Sequence, residues 1–270
     1  MKIAITGASG FVGNKILQIY KDAIVVPSLR NKTAAEIEVI IKNIEADVLI
    51  HTAAISDIGT CQAKPEESYQ ANVILPVRIA QCFEGKKLIC FSSDQVYSGS
   101  EEPGPYTEDM AAPGNLYADE KLEMENRVLD LCPDAVMLRA EWMYDFVSYK
   151  GNYFKSVLEA EGSVSFSSKQ FRGITYVREA AEAMCAVSEM PGGVYNFGSE
   201  TNSSMYDITK DFAAYLGKDI VVNDGQKRHN LWMDCSKAAK YGVCFSEVLE
   251  GLKKCTHDYG LRTIHSGRTL

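Results

Sequence analysis

The first thirteen residues constrain this chain more than any other stretch. Met1-Lys2-Ile3-Ala4-Ile5-Thr6 is a short, largely apolar run that breaks at Gly7, and Gly10 and Gly13 follow at intervals of three. Val12, Ile16, Ile19 and Tyr20 then recur at helical spacing. The pattern predicts a strand, a tight turn and a helix in immediate succession. The glycines meet three needs: an unusual backbone angle in the turn, close approach of the chain to a pyrophosphate, and close packing of helix on strand. The positive end of the helix completes an anion site. Gly7, Ser9, Gly10, Phe11, Val12 and Gly13 are therefore candidate contacts to a dinucleotide.

Apolar runs recur at residues 2–6, 23–27, 47–53, 87–92 and 135–139, with helical patterns between them, such as Ile37, Ile40, Ile41 and Ile44. This alternation predicts an α/β chain with a Rossmann-type, doubly wound parallel sheet whose site lies at the carboxyl ends of the strands. A helix is expected from Pro65 toward Cys82, kinked at Pro76. Tyr117, Lys121, Met124, Val128 and Leu131 fall on one face of another, which Pro133-Asp134 ends. Farther on, helices are expected near 153–161, 177–189, 205–216 and 247–259, and strands near 164–167, 193–197 and 220–223. The dinucleotide-binding domain is expected over 1–142, joined by about 174–198. Residues 143–173 and 199–270 would form a smaller, interleaved C-terminal substrate-binding part.

A hydrophobic content of 46% in 270 residues is ample for a core. A net charge of −8 argues against a general nucleic-acid surface or an anionic membrane partner, either of which needs a basic patch. No stretch approaches the roughly 18 apolar residues of a membrane span, and the first apolar run leads into the glycine turn rather than a cleavage site. A cytoplasmic protein is expected. The eight cysteines are scattered without a CxxC pair, and His51, His229, His257 and His265 are far apart, so no protein-built metal site is expected. Most cysteines read as small core residues, and His51 as a packed or lining residue.

Tyr117 and Lys121 stand one helical turn apart and face the same way. Moving a phenol from about 10 to near 7 takes about 4 kcal/mol of preferential phenolate stabilisation, which a nearby ammonium and a bound nicotinamide could supply. Such a tyrosine can hand a proton to an oxygen as hydride reaches the attached carbon. Phe91-Ser92-Ser93-Asp94 places hydroxyls at a strand's carboxyl end, and Ser93, ahead of Ser92, is the candidate to polarise a carbonyl.

Thr6 to Gly13, His51-Thr52-Ala53-Ala54, Asn72-Val73, Phe91 to Tyr97, Tyr117 to Lys121 and Arg139-Ala140-Glu141-Trp142 resemble, in this order, the extended short-chain dehydrogenase/reductases. Within them the chain is most similar to the dTDP-4-dehydrorhamnose reductase family. The resemblance covers nearly the whole chain and is less specific beyond Trp142, where Arg228-His229-Asn230 and Asp234-Cys235-Ser236-Lys237 echo a nucleotide-sugar segment. It implies that Ala53, Ala54 and Ile55 flank the cofactor, that Lys121 also touches the nicotinamide ribose, and that Trp142 and Arg228 border the substrate. The implied reaction is hydride transfer from reduced nicotinamide to the 4-keto carbon of a dTDP-6-deoxyhexose, with Ser93, Tyr117 and Lys121 catalytic and Tyr117 protonating the alkoxide. One departure is His229, where the family has a proline after the arginine.

After the second strand an acid would grip the ribose 2′-OH of NAD, but Val26-Pro27-Ser28-Leu29-Arg30 has none. Arg30 could pair with a 2′-phosphate, so NADP is favoured over NAD; the alternative is that Arg30 faces solvent. Lys155, Lys169 and Arg172 could meet a pyrophosphate but are read as solvated loop charges. A 4,6-dehydratase fits poorly, because Gln95 follows Asp94 where elimination needs an acid. A nucleotide-sugar epimerase using tightly held NAD stays open, as does a non-catalytic NADP-binding regulatory subunit. The expected partner is a small-molecule nucleotide sugar, with a homodimer possible and neither nucleic acid nor membrane involved.

Overall fold

The computed structural model describes residues 1–148, 152–226 and 229–261. The expected strand, turn and helix open the chain as β1 (Ile3–Thr6) and α1 (Phe11–Ile19), followed by β2 (Ile24–Val25), α2 (Ala34–Lys42) and β3 (Val48–His51). Then come α3 (Ile58–Ala63), α4 (Pro65–Tyr69), a π turn over Gln70–Ile74 and α5 (Leu75–Cys82). Next stand β4 (Lys87–Ser93), a 3₁₀ turn over Asp94–Tyr97, α6 (Leu116–Leu131), β5 (Val136–Ala140) and β6 (Trp142–Tyr144). The remainder is α7 (Tyr153–Leu158), β7 (Ser163–Phe166), β8 (Ile174–Tyr176), α8 (Val177–Glu182), α9 (Met184–Ser188), β9 (Gly193–Phe197), α10 (Met205–Leu216), β10 (Val221–Asp224), α11 (Ser236–Ala239) and α12 (Val248–Asp258).

Six strands form one parallel sheet in the order β2-β1-β3-β4-β5-β9. The chain leaves β1 for one neighbour and returns on its other side, so the order reverses between β1 and β3, and a crevice opens there at the strands' carboxyl ends. All four residues of β1 and of β3 are buried, which explains their unbroken apolar runs. Ile5, Ile50, Ile89 and Leu138 face a layer that includes Ile16, Val177 and Met184. Leu49, Cys90 and Met137 face Ile37, Ile41, Ile79, Met124 and Val128 on the other side.

The kink at Pro76 takes the form of the π turn ahead of it. Proline lacks an N–H and crowds the preceding turn, and a widened turn relieves both. Leu131 departs from expectation: it is exposed at the end of α6, and Cys132 continues the apolar face instead. The helix expected over 177–189 is two short helices meeting at Ala183.

Beyond β5 the chain builds two further parallel pairs, β6 with β8 and β7 with β10. The first pair, three residues to a strand, had no readable period. Tyr144, Tyr153, Phe154, Tyr176, Phe212 and Leu252 gather there into a separate aromatic-rich cluster. No helix among the described residues is long and apolar enough to cross a membrane.

Candidate active site

The turn after β1 is shaped by what cannot be present. Gly7 has φ +72°, and a Cβ there would lie 2.7 Å from the Ala53 backbone nitrogen. A Cβ on Gly13 would lie 2.3 Å from the Gly7 carbonyl oxygen, so α1 rests directly on the turn. Gly10 starts α1 without a side-chain cap, and its first turn carries no acid. Early helix N–H groups left without a side-chain partner suit a phosphate, and an acid there would repel one. These features fit a dinucleotide pyrophosphate.

A cleft of about 550 Å³ opens beside this turn. Gly10, Phe11, Val12, Gly13, Ala54, Ser93, Tyr117, Lys121 and Trp142 all line it. Ala53 lies against Gly7 beneath the turn, and Ser9 is exposed at its tip. Arg30 stands outside the lining, exposed, with its guanidinium 3.6 Å from Glu67. Arg228 falls outside the described residues.

Ser92 and Ser93 are adjacent at the end of β4 and face different partners. Ser92 donates to Glu125, which also holds Arg139 through a buried ion pair at 2.7 Å. Its proton is thus committed to the protein. Ser93 makes a long contact to Asp94 Oδ1 at 3.2 Å, accepts from the Gln95 N–H at 3.2 Å and hydrogen-bonds with Tyr117.

Asn115 caps α6 by accepting from the Ala118 N–H at 3.0 Å, which fixes where Tyr117 and Lys121 emerge. Lys121 Nζ donates to the Phe91 carbonyl at 2.8 Å and lies 5.8 Å from the centre of the Tyr117 ring. Burial pulls the Lys121 ammonium down to about 8. Burial pushes the Tyr117 phenol up, opposed by hydrogen bonding with Ser93. The lowering toward 7 expected from the helical spacing is therefore not produced by the protein alone, because desolvation of the phenolate outweighs its local support. Burial makes the phenol a weaker acid, so delivery of its proton depends on stabilising the phenolate that remains. His51 is buried at the end of β3, bonded through Nδ1 to Thr6 Oγ1 at 2.7 Å, and burial pulls it down to about 3.

Several residues of this region were missed in the sequence. Asn72, turned inward by the π turn, accepts from the Ile55 N–H and donates to the Ile55 carbonyl, both at 2.9 Å. Glu120 anchors Asn72 at 2.8 Å, so α6 and the loop carrying Ala53 and Ala54 are tied together. Arg172, expected to be solvated, is buried in the cleft wall and paired with Asp94 at 2.6 Å. Its guanidinium lies 5.6 Å from the Trp142 ring centre. Glu141 lines the same wall. Single charged residues carry no periodicity, so Asn72 and Glu141 were legible only as members of the Asn72-Val73 and Arg139-Ala140-Glu141-Trp142 motifs.

The family described as RmlD substrate binding domain matches residues 1–228. The chain belongs to the RmlD family. Among similar proteins, a dTDP-4-dehydrorhamnose reductase from Mycobacterium tuberculosis is 30% identical over 208 residues, which is 70% of this chain and 66% of that protein. The match to that relative therefore spans just under two thirds of its length. Methionine adenosyltransferase 2 subunit beta from Xenopus laevis is 26% identical over 277 residues, covering 88% of this chain and 82% of that one. A dTDP-4-dehydrorhamnose reductase from Bacillus anthracis in complex with NADP superposes with a TM-score of 0.81 at 19% identity, covering 96% of this chain and 100% of that one. At that identity the likeness is one of fold, and it places the RmlD-family chain among Rossmann-like proteins.

Proposed function

We propose that this protein is an NADPH-dependent reductase that delivers hydride to the 4-keto group of a nucleotide-linked deoxysugar, the dTDP-4-dehydrorhamnose reductase reaction. The observation that carries the reading is the meeting of Ser93, Tyr117 and Lys121 in one cleft with the glycine turn. Reduced nicotinamide, when bound, supplies the hydride. Ser93, which hydrogen-bonds with Tyr117 and holds Asp94 only at 3.2 Å, polarises the carbonyl. Tyr117, held neutral by burial, protonates the alkoxide, and Lys121, fixed by the Phe91 carbonyl, supports the phenolate that remains.

Gly7 to Gly13, Ala53, Ala54 and Lys121 would hold the cofactor, and Trp142 and Arg228 the substrate. NADP is favoured by the missing acid after β2 and by the NADP in the Bacillus anthracis relative. Arg30 would exchange its exposed contact with Glu67 for the 2′-phosphate. We assign cofactor binding to residues 1–142 with 174–198, which supply the six-stranded sheet, and substrate binding to 143–173 and 199–270. The free cysteines suit a cytoplasmic site of action.

The test is loss of reduced-nicotinamide absorbance with dTDP-4-dehydro-6-deoxy-L-mannose, comparing NADPH with NADH. Steady turnover with NADPH is the expected result. A second reading, a non-catalytic NADP-binding subunit, is favoured by the long match to methionine adenosyltransferase 2 subunit beta. Protein that binds NADPH but turns over neither cofactor with this sugar would sink the reductase and leave that reading standing.

A further inference from the structure

The cleft wall contains a carboxyl group for which the proposed reaction has no use. Glu141 is buried between Ala140 and Trp142, which line the cleft with it. Two glycines make room for it: a Cβ on Gly173 would lie 2.1 Å from its Oε1, and one on Gly198 would lie 2.2 Å from its Cδ. Its Oε2 accepts from the Thr175 hydroxyl and the Ser199 N–H, both at 2.9 Å. Both bonds favour the carboxylate, and because they occupy Oε2, a proton on this group sits on Oε1.

Burial and the neighbouring acid Asp94 favour that proton and outweigh the two bonds and the Arg172 charge, which oppose it. Asp94 faces it from the turn after β4, Arg172 from the segment before β8, and the Cys235 thiol from the segment before α11. The guanidinium of Arg172 is bonded to Asp94, not to Glu141. A second carboxylate there would be a buried, uncompensated charge. Burial first, and then Asp94, hold the Glu141 carboxyl up to about 8. The Cys235 thiol is pushed up by burial and stays neutral.

We propose that Glu141 is a substrate-binding residue, a neutral carboxylic acid whose Oε1–H donates a hydrogen bond to a hydroxyl oxygen of the bound hexose. This rests on the nucleotide-sugar reading of the cleft. A neutral acid offers a sugar a donor without placing a negative charge beside its diphosphate. An ionised Glu141 could accept from the same hydroxyl but would place a buried negative charge beside Asp94 and near the ligand's diphosphate, so affinity should fall as the pH rises through its titration.

The experiment is calorimetric titration of the full-length, NADP-loaded protein with dTDP-L-rhamnose at pH 7 and pH 9, for wild type and Glu141→Gln. Glutamine keeps an N–H donor that cannot titrate. With titration near 8, wild type should bind about tenfold more weakly at pH 9. Glu141→Gln should bind within threefold of wild type at pH 7 and weaken less than threefold by pH 9. A larger loss at pH 7, or a fall with pH matching wild type, overturns the proposal. Infrared spectra should show a protonated-carboxyl band in wild type at pH 7 that is lost by pH 9 and missing from the variant; a wild type without it overturns the proposal too. Should the variant fail to fold, the wild-type titration and band decide. Binding without turnover overturns the reductase alone, whereas no binding at either pH overturns both.

Discussion

The two ends of the cleft are built from opposite materials. The end beside β1 and β3 is mostly backbone: a glycine turn, an uncapped helix start and a loop gripped at Ile55 by Asn72. The end beside β5 and β8 is mostly buried side-chain charge, with Asp94, Arg172 and Glu141 packed around Trp142. Backbone recognition depends on residues that must be absent or small, so it tolerates little change and reads the same in any chain that uses it. Side-chain recognition depends on which charges meet, and many combinations serve. The contrast implies that the cofactor end sets the class of chemistry and the other end sets the substrate.

Tyr117→Phe is the sharpest cut between the two ends, since it removes the proposed proton donor and touches neither the glycine turn nor the charged wall. Turnover should fall by roughly a hundredfold or more, while NADPH affinity by fluorescence titration stays within about twofold. Near-normal turnover would remove Tyr117 from the role of acid. Gly13→Ala attacks the cofactor end alone. Its Cβ would stand 2.3 Å from the Gly7 carbonyl oxygen, so the turn must shift, and NADPH affinity should drop about tenfold with a loss of stability of about 1–3 kcal/mol by thermal unfolding. Unchanged NADPH binding would mean that the turn is not the pyrophosphate seat. The smallest effect is expected from Arg30→Ala, because its side chain is exposed and only loosely paired. NADPH should bind about threefold more weakly and NADH equally well. Equal losses for both cofactors would break the assignment of Arg30 to the 2′-phosphate.

The fold was legible wherever burial imposed a period. β1, β3, β4 and β5 are covered on both faces, so their apolar runs are continuous, and α6 shows its buried stripe from Tyr117 to Val128. The pair β6 and β8 was not legible, since three residues on a strand cannot show alternation. The candidate site divided in the same way. The glycine spacing, the Tyr117–Lys121 spacing and the serines after β4 all lie within short stretches of chain. Arg172 and Glu141 are far from each other in sequence, and nothing local to either marks it as buried. Arg172 read as a solvated loop charge because its partner, Asp94, is 78 residues away.

By itself the sequence determined the parallel sheet, the glycine turn and the placing of Tyr117 one helical turn from Lys121, because each follows from local geometry: a period, a missing side chain, one turn of helix. Only the tertiary structure decided that the Ser92 proton is given to Glu125, that burial makes Tyr117 a weaker acid, and that the Arg172 guanidinium beside Trp142 pairs with Asp94. Those facts depend on desolvation and on charges brought together from distant parts of the chain, and neither exists until the chain has folded.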